Sequence, residues 1–140
     1  MPALDKQGMK APVYVTVALP AAAGLQLAQY VFVSDGYYEV IEAREAHTVA
    51  GGSGAAMQVR KCAAGTAPGS GTAMLGTAFD LNATADTPQY RSHSAGNIVE
   101  AASQIEPGQS IAVSYAGTLT GLLGVGLTLV LRRTRSNPSR

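Results

Sequence analysis

Few side chains in this 140-residue sequence are of a type that could do covalent or metal chemistry, and their spacing keeps them apart. The two histidines, His47 and His93, stand 46 positions from each other. Neither has a second ligand at the short spacings that protein metal sites use. Each reads as a surface or partly buried hydrogen-bonding residue. Cys62 is the single cysteine. A nucleophilic thiolate needs a base beside it; nothing local supplies one, so Cys62 reads as a small core residue. One cysteine also excludes an internal disulfide framework and fits a reducing compartment. Asp35, Glu39, Glu42 and Glu45 form an acidic stretch relieved only by Arg44. In a regular strand Glu39 and Glu45 point one way and Glu42 the other. They are therefore no acid–base pair, and they read as a solvated or partner-facing edge whose charges deter strand addition. No catalytic, cofactor-binding or metal-ligating residue is assigned.

The glycine-rich stretches carry no nucleotide chemistry either. Gly51–Gly54 and Gly69–Gly71 lack the Lys-Ser/Thr ending of a phosphate-cradling loop, and Gly124-Val-Gly126 follows no βαβ pattern. Asn82-Ala-Thr84 matches a glycosylation sequon, without meaning unless the chain is exported. Basic residues are not interleaved with aromatics as single-strand nucleic-acid binders require. A metal enzyme of the cupin type needs several clustered histidines and acids, and two distant histidines do not supply them. No nucleic-acid partner and no cofactor is expected.

The elements that must hold these residues are set by a lean composition. The apolar fraction is 46%, but 24 residues are Ala, and Val, Ile, Leu and Phe together number 30. Charged residues make up only 14%, against a typical value of about 25%. With no Trp and two Phe, the large aromatic anchors are expected among the six Tyr. A thin core under a weakly charged surface suggests a protein completed by assembly. The net charge is +1, yet the last nine residues carry four arginines and no acid: Arg132, Arg133, Arg135 and Arg140. Such a basic tail is a solvated terminus or an electrostatic anchor for an acidic partner.

Both ends imitate targeting segments. Lys6 and Lys10, the apolar run Val13–Leu19 and the small residues to Gly24 resemble a secretory signal. Against this, Tyr14 and Thr16 alternate with Val13, Val15 and Val17, the period of a half-buried strand. The C-terminal run Gly121–Leu131 is 11 residues long, short of the ~20 a membrane helix needs. No membrane segment is expected.

Short β-like runs recur between turn clusters. They cover Val13–Leu19, Leu25–Val33, Tyr37–Val49, Ala55–Cys62, one or two within Thr72–Leu81, Thr87–Ser92, Ser110–Ala116 and Gly124–Arg132. Glu42–Ala46 would suit a helix by composition, but lacks a cap and lies among strands. Pro107-Gly108 marks a type II turn, and residues 93–103 a polar loop with a helical turn. About eight strands and no long helix predict an all-β protein, an antiparallel β-sandwich, with a jelly roll of about eight strands as its topology. Residues 1–12 form an expected N-terminal arm, 13–133 the sandwich and 134–140 a basic C-terminal tail.

Several segments together resemble a known family. They are Glu42–Gly52, Met57–Cys62, the Ala67–Gly71 loop, Phe79–Thr84, the Pro107-Gly108 turn and the closing strand Gly117–Arg133. In this order they are similar to capsid cement, or decoration, proteins of tailed bacteriophages, short-tailed ones in particular. The likeness covers roughly residues 12–133. It implies a jelly roll that sits as a homodimer on the outer surface of an icosahedral HK97-like virion, having assembled in the host cytoplasm. Its implied partner is the major capsid protein, and it implies no catalytic residue. Lys6, Lys10, Arg132, Arg133 and Arg135 are then candidate capsid contacts. The alternative expectation is an exported bacterial β-sandwich surface or binding protein.

Overall fold

A computed structural model describes residues 11–20 and 28–134. Ten strands follow in order: β1 (Pro12–Ala18), β2 (Gln29–Val33), β3 (Tyr37–Ala46), β4 (Ala56–Cys62), β5 (Thr72–Ala73), β6 (Phe79–Asp80), β7 (Gln89–Ser92), β8 (Gln104–Ile105), β9 (Ser110–Ala116) and β10 (Gly126–Thr134). One helical turn, α1 (Glu100–Ser103), and a 3-10 turn, Pro68–Ser70, complete them. The first part of the expected Leu25–Val33 strand, 25–27, lies outside the described residues, as do Lys6, Lys10 and Arg135.

The strands form two antiparallel sheets. Sheet A runs β1-β10-β3-β7, with β8 also on β3; sheet B runs β2-β9-β4-β5, with β6 also on β4. β8 pairs with Tyr38 and Glu39, whereas β7 pairs with Glu42 to Glu45. Likewise β5 pairs with Arg60 and Lys61, and β6 with Ala56 and Met57. Each sheet thus has four strand positions, the last split in two. Eight positions ordered this way in two sheets make the jelly roll, and the ten strands are its eight with two outer ones interrupted.

Alternation drives the packing. Ile111, Val113, Leu127, Leu129 and Leu131 point inward with Val40, Met57 and Val59, all buried. Lys61, at the rim of the same β4 face, reaches the carbonyls of Ala101 and Gln104 at 3.1 Å each. The expected type II turn is present: Gly108 has φ +83° and the Gln109 amide bonds the Glu106 carbonyl at 3.1 Å. Gly117 is required by close approach. Its φ is +76°, and a Cβ there would lie 2.0 Å from the Gly54 carbonyl oxygen.

Two expectations about side chains are corrected. The largest fully buried side chain is Phe79; of the six tyrosines only Tyr38 belongs to the buried core, while Tyr14, Tyr30 and Tyr90 are exposed. These three lie on outward strand positions, where a ring can remain half wet, whereas Tyr115 shares the inward face of β9 with Ile111 and Val113 and packs against the core with its hydroxyl buried. The acidic stretch is also no edge. β3 is an interior strand between β10 and β7/β8, and it carries a bulge. Val130 opposes Glu42 and Leu131 opposes Val40, which leaves Ile41 as the extra residue. A bulge shifts the alternation by one. Tyr38 and Val40 face inward before it, Ala43 and Glu45 after it. Glu39 and Glu45 therefore lie on opposite faces, and Glu42 shares the outer one with Glu39.

Candidate interaction site

Arg132 and Arg133 belong to β10 and lie opposite Glu39 and Tyr38 of β3. Arg132 is ion-paired to Glu39, whose other oxygen lies 4.0 Å from His93 Nε2. His93 Nε2 also meets Ser103 Oγ at 3.1 Å. Arg133 donates to the Tyr38 hydroxyl at 2.7 Å and lies over its ring, 5.2 Å from the centroid. The Tyr38 hydroxyl in turn donates to Asp35 Oδ1 at 2.6 Å. That bond, reinforced by Arg133, holds the Asp35 carboxyl below its ordinary pKa. Two guanidiniums are thus balanced by two carboxylates of the same chain. Both arginines remain about half exposed, but an acidic partner would have to compete with Asp35 and Glu39.

The outer face of sheet A is laid out by strand register. One row across it is Thr16, Thr128, Arg44 and Tyr90; the next is Tyr14, Val130, Glu42 and Ser92. Arg44 and Glu42 form an ion pair and cancel each other. Gly126 and Ala46 are small, so Pro88 and Tyr90 wall a shallow depression of about 300 Å³ beside them. The outer face of sheet B is different, because the chain folds back over it. The Tyr30 hydroxyl donates to the Thr66 carbonyl at 2.6 Å, and Arg60 reaches Ser114 Oγ and the Gly71 carbonyl at 2.7 and 2.9 Å.

Beneath that covering lies Cys62, fully buried on the outer side of β4, with its thiol 3.8 Å from the Ala67 and Pro68 carbonyls. Burial pushes its pKa above that of a free thiol, and reactivity follows the thiolate. Cys62 should resist an aromatic disulfide reagent in native buffer and react at once in denaturant. Rapid stoichiometric labelling of the folded chain would contradict this packing.

A second polar cluster is built around two buried side chains. His47 Nδ1 lies 2.8 Å from Glu45 Oε2, and both side chains are wholly buried. His47 Nε2 lies 3.0 Å from the Ala83 carbonyl; a carbonyl only accepts, so this nitrogen carries a proton. Gln89 Nε2 donates to Glu45 Oε1 at 2.8 Å and to the Asp80 carbonyl at 2.7 Å. The cluster ties β3 to the 80–89 segment. The hydrogen bonding of His47 agrees with the sequence reading, but its full burial corrects the expected surface or partly buried position; the burial of Glu45 is equally unannounced, because the bulge that turns it inward leaves no mark in composition or periodicity. Burial raises the Glu45 pKa against the opposing His47 and Gln89 bonds. Burial would lower that of His47, but the Ala83 carbonyl and Glu45 raise it overall. Among the described residues no group of three or more His, Cys, Asp or Glu is placed to hold a metal ion.

No protein-family model matches the chain, and no curated protein matches it by sequence. Solved structures do. The fold is similar to that of a chain in the capsid of Ralstonia phage GP4, with a TM-score of 0.61 at 18% identity, over 92% of this chain and 87% of that one. A chain in the cyanophage Pam1 capsid asymmetric unit gives 0.48 at 12% identity, over 88% and 84%. A chain from Bacillus endospore appendages gives 0.39 at 14% identity, over 91% and 92%. The first likeness is one of fold, across the whole sandwich; the other two are too distant to weigh.

Proposed function

We propose that this chain is a non-enzymatic structural protein of a tailed-phage head. It binds the outer face of an icosahedral HK97-like shell as a dimer and cements neighbouring major capsid proteins. The observation that carries the reading is the end-to-end likeness of fold to a chain in a phage capsid. Two further features support it: the sequence resemblance to cement proteins, and broad, weakly charged sheet faces. A protein of this kind works by multivalency. The lattice presents many fixed sites, so modest single contacts become durable attachment.

Residues 1–12 and 134–140 serve in this reading as arms, with Lys6, Lys10, Arg132, Arg133 and Arg135 as contacts. Arg132 and Arg133 sit within β10, so a test by truncation has to begin beyond it. Removing 135–140 should weaken co-sedimentation with shells that lack this protein, and the loss should shrink as salt is raised, since exposed charges are screened. Equal binding at every ionic strength would remove the arm. Failure of the full-length chain to co-sediment at all would remove the function. The exported alternative gains no support: the run Val13–Val17 of the signal-like start lies within strand β1 of sheet A, and cleavage near Ala23 would discard it. An intact mass that retains the N-terminus is expected.

A further inference from the structure

Six of the chain's ten lysines and arginines lie within the described residues, and five of them are fully engaged. Arg44, Arg132 and Arg133 are ion-paired to carboxylates. Lys61 donates to two carbonyls and Arg91 to three. Arg60 differs. Its Nε donates to Ser114 Oγ and one Nη to the Gly71 carbonyl, which leaves three of its five N–H donors without a partner among the described residues. No carboxylate among those residues lies within ion-pair distance of it. Arg60 also lines a cavity of about 250 Å³ on the outer face of sheet B. Register sets its floor: Gln58 lies opposite Ser114 and Ala56 opposite Ala116, while Ala78 of the adjoining segment completes the lining. The site is held rigid before anything enters it. A Cβ on Gly71 would lie 2.6 Å from Cys62 Sγ and from the Lys61 carbonyl oxygen, so this close approach fixes the Gly71 carbonyl against Arg60. Gln58 bonds both the amide and the carbonyl of Leu75, at 2.9 and 3.1 Å, and so pins the 72–80 segment.

We propose that this cavity receives the carboxylate of an aspartate or glutamate side chain on a partner protein, bound by Arg60. Three observations select that class. The cavity holds one uncompensated positive charge, which a carboxylate balances; a phosphate dianion calls for a second cation, and no other cation lines the cavity. Three of the lining residues are alanines, whose methyl groups suit the short methylene stem of an acidic side chain. The guanidinium is already fixed by Ser114 and Gly71, so little ordering entropy is lost on binding. The depression on sheet A lacks this chemistry, since Glu42 already neutralises its Arg44. The partner's identity rests on the shell reading: there the acidic side chain belongs to the major capsid protein, and the outer face of sheet B is the one turned to the shell. Binding of a carboxylate does not depend on that reading.

Nuclear magnetic resonance of the full chain tests the pocket without shells. The probes are N-acetylglutamate methylamide, its neutral glutamine counterpart and inorganic phosphate, all at constant ionic strength. The glutamate probe should give saturable shifts centred on Arg60 Nε, Ala78, Ser114 and Ala116. The glutamine probe should give none, and phosphate should bind more weakly. Arg60→Gln should lower the affinity at least about tenfold. Ala116→Leu keeps every Arg60 bond and narrows the cavity from an exposed position, so it should lower the affinity several-fold. No saturable shift, an equal response to the glutamine probe, phosphate binding as tight as the glutamate probe, or an unchanged affinity in Ala116→Leu would each overturn the proposal. Co-sedimentation with shells that lack this protein then tests the partner. Arg60→Gln should lose binding several-fold, and shell binding equal to the wild type in that variant would overturn the capsid assignment. A wild-type chain that takes the glutamate probe but no shells would remove the shell reading and support the pocket alone.

Discussion

Glu45→Ala is expected to cost about 3–5 kcal/mol, the usual penalty for removing one member of a buried charged pair. A typical domain has only about 5–15 kcal/mol of net stability, so the variant should be close to unfolding. Three bonds meet at this point: His47 Nδ1 on Oε2, Gln89 on Oε1, and His47 Nε2 on the Ala83 carbonyl. Without the carboxylate, the buried histidine loses its partner in a site closed to water, and Gln89 Nε2 keeps only its bond to the Asp80 carbonyl. Replacing both members with apolar residues, Glu45→Leu with His47→Phe, should recover much of the loss. Chemical denaturation measures all of these. A cost below about 1 kcal/mol would show that the pair is neither buried nor bonded as described.

The same pair sets a pH dependence. Both groups hold their protons more tightly folded than unfolded, so the native state binds more protons and stability falls as pH rises. The Glu45 part declines as pH climbs from 4.5 through its raised folded value. The His47 part is fully present below 6.5 and declines as pH passes its own raised value. Melting temperature should drop across that window in the wild type, and less steeply above 6.5 in His47→Gln. Equal slopes in the two proteins would contradict the assignment.

Phe79→Ala should be comparably severe, at about 3–5 kcal/mol. The ring is fully buried, and the Arg91 guanidinium lies over it, 5.0 Å from its centroid. Arg91 also donates to the Thr77 and Ala78 carbonyls at 2.8 and 3.0 Å. β6 is two residues long, so its ladder alone cannot hold this segment on β4. Tyr14→Ala, on the exposed face of β1, should stay within about 0.5 kcal/mol in dilute solution. If the two aromatic truncations cost the same, the partition between core and surface rings described above is wrong.

Strands whose pattern is local were legible. Val13–Val17 alternates cleanly because one side meets the core and the other meets solvent, Ile111–Tyr115 turns every second residue to the core although Ala112 on its other side is buried too, and Pro107-Gly108 specifies its own turn. The extended state of Glu42–Ala46 followed from its neighbours against its helical composition. What was hidden depends on partners distant in sequence. The bulge at Ile41 exists only as a mismatch between β3 and β10, and it alone decides that Glu45 is buried. The division of outer strands into β5/β6 and β7/β8 is likewise a matter of pairing. The burial of Cys62 follows from its residue type, but its place on the outer side of its sheet, under the loop that follows it, does not. Arg132 and Arg133 looked like the start of a free tail because their partners, Glu39, Asp35 and Tyr38, are more than ninety residues away.

Attachment to a phage shell is decided by cryo-electron microscopy of heads assembled with and without this chain. A jelly-roll-sized density should stand at fixed lattice positions on the outer surface of the complete heads. It should be absent when the gene is deleted, and the bare heads should burst at lower temperature. Identical reconstructions with and without the chain would contradict the account.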